Sequence, residues 1–158
     1  MVFEPIGVIH TPFETPENMP VQPAGGKDIE GWVVVEPRYE EALADLEGFS
    51  HIYLIYHLHR SKGYSLKVIP YLDTEKRGLF ATRAPRRPNP IGISVVRLKR
   101  VEGNKLHICD LDILDGTPLL DIKPCVREFV AAKGLRIGWL EGKASHVRTH
   151  TSDDRFAD

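Results

Sequence analysis

Residues 50–60, which read SHIYLIYHLHR, decide the fold class of this 158-residue chain. Side chains alternate between two faces along an extended strand. One face of this stretch carries Ile52, Leu54, Tyr56 and Leu58. The other face carries Tyr53 and Ile55 between histidines, so both faces are largely apolar. A strand that is apolar on both faces is typical of the centre of a sheet, and we expect residues 50–60 to lie there.

Other segments rich in β-branched residues indicate further strands. The sequence predicts them at 2–10, 28–36, 66–71, 93–101 and 106–113. Residues 102–104, Glu-Gly-Asn, form a plausible hairpin loop between the last two. Seven or so strands with no alternation of strands and helices favour a mostly-β fold, either an antiparallel sheet or a small barrel. The same pattern argues against a doubly wound dinucleotide-binding fold.

One short helix is predicted over residues 37–48, PRYEEALADLEG. Proline suits the first turn of a helix and glycine suits its end. Tyr39, Leu43 and Leu46 share one face of this predicted helix, which should therefore lie over apolar residues.

Length and composition predict a single globular domain, because 42% of the residues are apolar and 27% are charged. The sequence contains no apolar run of membrane-spanning length and does not begin like a signal peptide. Two cysteines, Cys109 and Cys125, suit a reduced cytoplasmic compartment. We expect a barrel domain over residues 1–139 and a polar tail over 140–158, which is either mobile or in contact with a partner.

The net charge of −1 conceals a basic window at residues 76–105. This window has nine basic residues, and its only acid is Glu102. Two interpretations are open. The window is a footprint for phosphate, or its side chains lie on solvated strand faces and pair with acids elsewhere.

Several kinds of catalytic site are disfavoured by the sequence. It contains neither of the glycine-rich phosphate-binding motifs nor an H-E-x-x-H zinc motif. His57 and His59 have the spacing to share a strand face, but no third ligand matches them, so we expect no metal site. Ser94 lacks the G-x-S-x-G context of a serine hydrolase.

The segment 80–94, FATRAPRRPNPIGIS, is too specialised for an ordinary turn. Its three prolines fix the backbone and should make a stiff loop. The loop displays Arg83, Arg86, Arg87 and Asn89. Rigidly held guanidinium groups suit the recognition of carboxylate or phosphate. Alternatively, the segment is a structural turn whose arginines bond to nearby carbonyl oxygens.

The segment 110–124, DLDILDGTPLLDIKP, places four aspartates within twelve residues. This spacing is compatible with calcium or magnesium, but the glycine and the closing glutamate of an EF-hand are not in place. The acids also suit a cationic or polyhydroxy ligand, such as a sulfonium compound with an amino group and a ribose diol.

Five motifs together resemble the TsaA-like (YaeB/TrmO, UPF0066) family of S-adenosylmethionine-dependent tRNA methyltransferases. They are GVIHTPF (7–13), PVQP (20–23), GFSHIYLIYHLH (48–59), GLFATRAPRRPNPIGIS (78–94) and LDGTPLLDIKP (114–124). The last two are long and specific. The family motif that ends in DIKP usually continues with tyrosine, where this sequence has Cys125.

The resemblance implies a small antiparallel β-barrel in place of the usual methyltransferase sheet, and a homodimer. It implies that S-adenosyl-L-methionine is the cofactor and that the anticodon loop of tRNA is the partner. The expected reaction is methylation of the exocyclic amine of threonylcarbamoyladenosine beside the anticodon. A small-molecule methyltransferase on the same fold and a non-catalytic RNA-binding barrel remain as alternatives.

The family's site residues are carried over by motif. The implied cofactor-binding residues are Gln22, Pro23, Ala24, Gly25, Lys62, Gly63, Arg87, Val96, Asp112, Ile113, Leu114 and Asp115. The substrate-binding residues are a separate hypothesis from the stiff loop that displays them: Arg83, Arg86 and Asn89. The resemblance names no catalytic base, for which His57 and His59 are candidates. The acceptor nitrogen of the modified adenine resembles that of a urea, so some help in removing its proton is expected.

Overall fold

The fold is that of a computed structural model, which describes residues 1–130 and 134–156. Eight strands are present in this part of the chain: β1 (Gly7–His10), β2 (Glu30–Val35), β3 (His51–His57), β4 (Lys67–Val68), β5 (Arg77–Gly78), β6 (Ile91–Glu102), β7 (Lys105–Cys109) and β8 (Thr117–Pro124). One α-helical turn, α1, spans Arg127–Val130. Short 3₁₀ helices lie at Pro23–Gly25, Pro37–Leu43, Leu46–Gly48, Leu79–Ala81, Gly138–Leu140, Ala144–Arg148 and Asp154–Phe156.

Six of the strands form a closed barrel in the order β1-β2-β7-β6-β3-β8. Every neighbouring pair is antiparallel, and β1 closes the barrel by pairing with both β2 and β8. Strands β4 and β5 make a separate two-stranded sheet. The mostly-β fold and the small antiparallel barrel are therefore confirmed.

The barrel core is built from the inward faces of the strands. On β3, Ile52 and Leu54 are fully buried and Tyr56 is nearly so, as the alternation in residues 50–60 predicts. This strand lies between β6 and β8, so its predicted central position is also confirmed. Inward residues of the other strands complete the core: Ile9, Val33, Val35, Val96, Leu98, Leu106, Ile108 and Leu119.

The prediction of a continuous helix over residues 37–48 is wrong. The segment forms two 3₁₀ helices, and Asp45, at φ 65°, takes a left-handed conformation between them. That conformation interrupts the hydrogen-bond ladder that a helix needs. The expected apolar face is nevertheless present, since Leu43 belongs to the core and Tyr39 and Leu46 pack against it.

Other strand predictions require correction as well. The strand predicted at 2–10 begins at Gly7, and the one predicted at 66–71 is reduced to Lys67–Val68. The strand predicted at 106–113 ends at Cys109, because Asp110 has a positive φ of 70°. The segment 117–124 is a barrel strand, for which the sequence predicted no secondary structure. The predicted hairpin between β6 and β7 is confirmed.

Residues 139–151 contact earlier parts of the chain. Thr151 forms a bridge with Pro20, and the indole of Trp139 donates a 2.8 Å hydrogen bond to the carbonyl of Ala81. Thus the described part of the predicted tail, 140–156, packs against the rest of the chain, while residues 157 and 158 lie outside the described residues. Residues 131–133 of the predicted domain 1–139 are outside them as well. No helix in the described ranges is long and apolar enough to cross a membrane.

Candidate cofactor site

A cavity of about 320 Å³ lies where several loops meet the inward residues of β3 and β6. Residues of five segments line it, 16–22, 56–61, 82–93, 112–117 and 152–156, together with Tyr71. Its volume is within the range of small-molecule sites. The two segments that the sequence singled out, the arginine-bearing loop and the acidic segment, thus lie on one cavity.

A hydrogen-bonded chain of three side chains lies in one wall. The Ser94 hydroxyl donates to Asp112 Oδ1 over 2.6 Å, and the Tyr56 hydroxyl lies 2.9 Å from the Ser94 oxygen. Because the single proton of Ser94 is directed to the carboxylate, Tyr56 is the donor to Ser94. Tyr56 and Asp112 line the cavity, while Ser94 is buried behind them.

The wall around Asp112 is a poor environment for an ionised carboxylate. Burial raises the pKa of Asp112 to about 6, although the hydrogen bond from Ser94 opposes this shift. Burial likewise raises the pKa of Tyr56, so its hydroxyl stays protonated and remains a donor. No salt bridge to Asp112 is formed within the described residues, which leaves its carboxylate available to a cationic or hydroxyl-bearing ligand.

Gly92 allows the ring of Tyr56 to lie in this wall. The two residues are cross-strand partners in β6 and β3. A Cβ atom at position 92 would lie 2.2 Å from Cε2 of Tyr56, far inside van der Waals contact. The glycine is therefore required by the close approach of the ring.

The loop that follows the Leu79–Ala81 turn forms a second wall. Arg83 donates a 2.8 Å hydrogen bond to the side-chain oxygen of Gln22. Arg87 donates to the carbonyl oxygens of Thr82 and Ala84. The Arg87 guanidinium also lies 5.6 Å from the centre of the Phe80 ring. These partners hold both guanidinium groups in place without neutralising them, a suitable arrangement for binding an anion.

His59 lies at a third position on the cavity. Its Nδ1 is 3.4 Å from the Thr117 hydroxyl, which itself donates to the carbonyl of Leu114 over 2.7 Å. Because that hydroxyl proton is already used, His59 Nδ1 is the donor and Nε2 keeps its lone pair. Burial and the neighbouring Arg60 lower the pKa of His59, so the ring is neutral near pH 7. His57 does not line the cavity.

The structure brings together six of the predicted site residues. Gln22, Arg83, Arg87, Asp112, Ile113 and Leu114 all line the cavity. Pro23, Ala24 and Gly25 form the 3₁₀ turn that follows Gln22. Lys62 and Gly63 come directly after Ser61, which lines the cavity, but do not line it themselves.

The remaining implied residues lie away from the lining. The side chain of Val96 is fully buried in the barrel core and does not line the cavity, so a cofactor contact at this position stays a prediction. Asp115 accepts hydrogen bonds from the backbone of Thr11 and from Nδ1 of His10, 3.2 Å away. Arg86 and Asn89 belong to the arginine-bearing loop but do not line the cavity.

Four of the nine basic residues in the basic window are paired with acids, as the second interpretation of it predicts. Its ion pairs are Arg77 with Asp73 and Glu75, Arg97 with Asp28 and Asp110, Lys99 with Glu30, and Arg100 with Glu102. These four ion-paired residues interrupt the window, which argues against a continuous phosphate-binding stripe. Arg83 and Arg87 are the cations of this window that line the cavity.

Sequence reasoning missed several residues of the site. Ser94 was considered only as a hydrolase nucleophile, and Tyr56 only as a core residue. Ser152 and Phe156 line the cavity from the far end of the chain, where no motif marks them. Within the described ranges, no group of three or more histidine, cysteine or acidic residues is placed to hold a metal ion.

Comparison of the sequence with known proteins shows the family to which the chain belongs. Residues 8–130 match the family model described as the N-terminal domain of tRNA-methyltransferase O. A probable S-adenosyl-L-methionine-binding protein of Pyrococcus abyssi is 57% identical over 154 residues, which is 98% of this chain and 84% of the relative. The human tRNA (adenine(37)-N6)-methyltransferase is 33% identical over 136 residues, 82% of this chain and 31% of that enzyme.

Solved structures agree with these matches. The crystal structure of TrmO from Pseudomonas aeruginosa superimposes with a TM-score of 0.75 at 38% identity. The match covers 87% of this chain and 61% of that protein, so this chain spans less than two thirds of the solved relative.

The closed barrel and its cavity, with these matches, define a β-barrel fold distinct from the Rossmann-like sheet. The chain belongs to the TrmO family. The resemblance carried by the five sequence motifs is thereby confirmed, and S-adenosyl-L-methionine is the cofactor that the family relatives bind by name.

Proposed function

We propose that this protein methylates N6 of adenine 37 in tRNA with S-adenosyl-L-methionine, and that the substrate adenosine carries a threonylcarbamoyl group. One observation supports this most directly. The same cavity presents a carboxylate without an ion-pair partner, Asp112, and two guanidinium groups bonded to neutral oxygens, Arg83 and Arg87. A cationic cofactor and an anionic substrate group need such opposite charges side by side.

The cofactor fits the acidic side of the cavity. It supplies an electrophilic methyl group when bound, and it carries an ammonium group and a ribose diol. Asp112 accepts from these donors, while the backbone around Ile113 and Leu114 and the turn at residues 22–25 enclose the remainder. Ser94 and Tyr56 orient the carboxylate, which reduces the cost of fixing it when the cofactor binds.

The substrate fits the basic side. The threonyl carboxylate is an anion attached to the reacting nitrogen, and Arg83 and Arg87 are positioned to bind it. An adenosine in this position must leave its stack to reach the cavity. Asn89, which is exposed on the same loop, and Arg86, which is half-buried there, then contact the anticodon-loop backbone.

His59 is the proton acceptor in this proposal. The acceptor nitrogen must lose a proton as it is methylated, and a general base for this task needs a free lone pair near neutral pH. His59 meets that requirement at Nε2, because its Nδ1 proton is directed to Thr117. Asp112 is left to bind the cofactor.

The experiment that tests this function is methyl transfer from labelled S-adenosyl-L-methionine to two tRNA pools, one with threonylcarbamoyladenosine and one without. We expect label only in the modified pool. Label in both pools would contradict the role of the threonyl carboxylate. No label in either pool, with cofactor binding intact, would favour a small-molecule methyltransferase, and absence of cofactor binding would favour an RNA-binding barrel.

The homodimer is part of the same proposal. Ile91 and Ile93, on the outer face of β6, are 42% and 46% exposed, so this edge of the cavity offers apolar surface to a second copy. Sedimentation equilibrium of the purified protein tests the dimer, and a monomer at micromolar concentration would contradict it. The cytoplasmic location stays a prediction from the two free cysteines.

A further inference from the structure

The segment 150–156, here called the strap, lies across one side of the cavity. Two of its residues, Ser152 and Phe156, line the cavity directly. The strap follows the region matched by the family model, which ends at residue 130. Its contacts therefore add to the site that the family motifs describe.

The first attachment of the strap is at Ser152, whose side chain is buried. The Ser152 hydroxyl donates to the carbonyl of Pro16 and accepts a 3.1 Å hydrogen bond from the backbone nitrogen of Met19. The Ser152 backbone nitrogen also donates to the Met19 carbonyl over 2.8 Å. These bonds fix the strap to the loop that leads into the PVQP motif.

The second attachment is at Arg155. Its guanidinium donates a 2.7 Å hydrogen bond to the carbonyl of Pro70 and lies 5.2 Å from the centre of the Tyr71 ring. Asp153 accepts from the same guanidinium and holds it in place. The strap thus joins two cavity walls, residues 16–20 and 70–71, that are far apart in sequence.

Phe156 completes this arrangement. Its ring meets the Tyr71 ring edge to face, with the centroids 5.1 Å apart. It also packs against the small cluster of Val68, Leu79 and Ala84, which lies beneath the arginine-bearing loop. Phe156 is therefore held by the cavity wall and by the base of the loop at the same time.

We propose that the strap is a functional part of the cofactor site, and that the ring of Phe156 contacts bound S-adenosyl-L-methionine. This inference rests on the proposed function. An apolar ring beside Tyr71, on the cavity that Met19 also lines, suits the adenine ring of the cofactor, whereas the anionic substrate group belongs beside Arg83 and Arg87.

The first test measures the affinity for S-adenosylhomocysteine by calorimetry. We expect Phe156→Ala to weaken binding about tenfold, a loss of about 1.4 kcal/mol. The matched control is Asp154→Asn, an exposed residue of the strap that does not line the cavity, and it should bind as the wild type does. Phe156→Leu, which keeps an apolar side chain, should give an intermediate affinity. It replaces Phe156→Ala in this test if circular dichroism shows that Phe156→Ala is unfolded.

The second test uses the wild-type protein. Trypsin cleaves after Arg148 and Arg155, which lie before and within the strap. Saturating S-adenosylhomocysteine should slow cleavage at both sites, because the ligand holds the strap against the cavity. An unchanged cleavage rate would overturn the proposal.

The outcomes separate this proposal from the proposed function. Equal affinity of wild type, Phe156→Ala and Phe156→Leu would overturn the role of the strap and leave the methyltransferase function standing. Failure of the wild type to bind S-adenosylhomocysteine would contradict both.

Discussion

Ser94 and Asp112 are joined by a 2.6 Å hydrogen bond between a buried hydroxyl and a carboxylate that faces the cavity. Ser94 belongs to β6, and Asp112 lies in the segment that follows β7. The bond therefore connects the barrel core to the proposed cofactor site, and it opposes the effect of burial on the pKa of Asp112.

Substitution Ser94→Ala should raise the pKa of Asp112 further above its value of about 6, by roughly one unit, because a donor to the charged form is lost. Cofactor binding requires the carboxylate, so the pH below which S-adenosylhomocysteine affinity falls should move upward. Calorimetric titrations between about pH 5 and pH 8 measure this midpoint. Ser50→Ala, an exposed site at the start of the strand region, is the control, and an unmoved midpoint in Ser94→Ala would refute the coupling.

Substitution Asp112→Asn should abolish cofactor binding without destabilising the fold at pH 8. The folded-state pKa of about 6 exceeds the ordinary value of 3.8, so the folded state binds the proton more tightly than the unfolded state. Stability therefore falls as pH rises from about 4 to about 6, by about 3 kcal/mol at about 1.4 kcal/mol per pKa unit. Asparagine carries no such charge, and urea unfolding at pH 4 and pH 8 should show this decrease in the wild type only. A variant less stable than the wild type at both pH values would contradict the argument.

Substitution His59→Gln should lower the rate of methyl transfer about a hundredfold while leaving S-adenosylhomocysteine affinity unchanged. In the wild type, the rate should rise with pH through a pKa below 6.5, because burial lowers the pKa of His59 and only the neutral ring accepts a proton. Single-turnover rates on modified tRNA measure both effects. His57→Gln is the matched control, since that exposed ring does not line the cavity, and equal losses in the two variants would count against a base at position 59.

Substitution Gly92→Ala should destabilise the protein by about 2 kcal/mol, because the new methyl group would overlap the Tyr56 ring. Since Tyr56 supports Ser94, cofactor affinity should fall as well. The control is Gly78→Ala, where nothing lies within 4 Å of the added Cβ atom and φ is −58°. Thermal unfolding of the two variants side by side distinguishes a local clash from a general effect of losing glycine.

Substitution Arg83→Gln should weaken binding of modified tRNA and lower the dependence of that binding on salt, because a charge that contacts the substrate is removed. Lys99→Gln removes a charge of the same sign from the same basic window, but Lys99 is paired with Glu30 and should have little effect. Filter binding at several salt concentrations measures both slopes. Equal changes in the two salt dependences would favour a continuous phosphate-binding stripe, which the ion pairs argue against.

Local patterns were sufficient to predict β3, whose inward and outward residues alternate regularly, and the β6–β7 hairpin, which the Glu-Gly-Asn loop marks. They were insufficient for β8, in which Thr117 and Leu119 face inward while Pro118, Asp121 and Lys123 obscure the alternation. The helix at 37–48 failed because its composition is helical, yet Asp45 takes a left-handed conformation that composition does not reveal.

In the candidate site, too, the segments marked by local patterns were predicted and the residues placed by tertiary contacts were not. Prolines and arginines marked residues 80–94, and aspartates marked 110–124, so both cavity walls were predicted as functional segments. The motif implied a cofactor contact at Val96. The motif could not show that the Val96 side chain is buried in the core, because that burial arises only in the folded barrel. Ser152 and Phe156 reach the cavity only through tertiary contacts with residues 16–19 and 70–71, which no sequence spacing indicates.

The pairing of β1 with β8 has a consequence for how the chain is made. Ile9 is hydrogen-bonded in register with Thr117, so strands from opposite ends of the barrel sequence close it. During synthesis, β1 and β3 keep open edges until β8 has left the ribosome, and open edges invite pairing with other chains. Both open edges are therefore covered in one late step, when β8 pairs with β1 and β3. A nascent chain stalled before residue 117 would depend on chaperones to stay in solution.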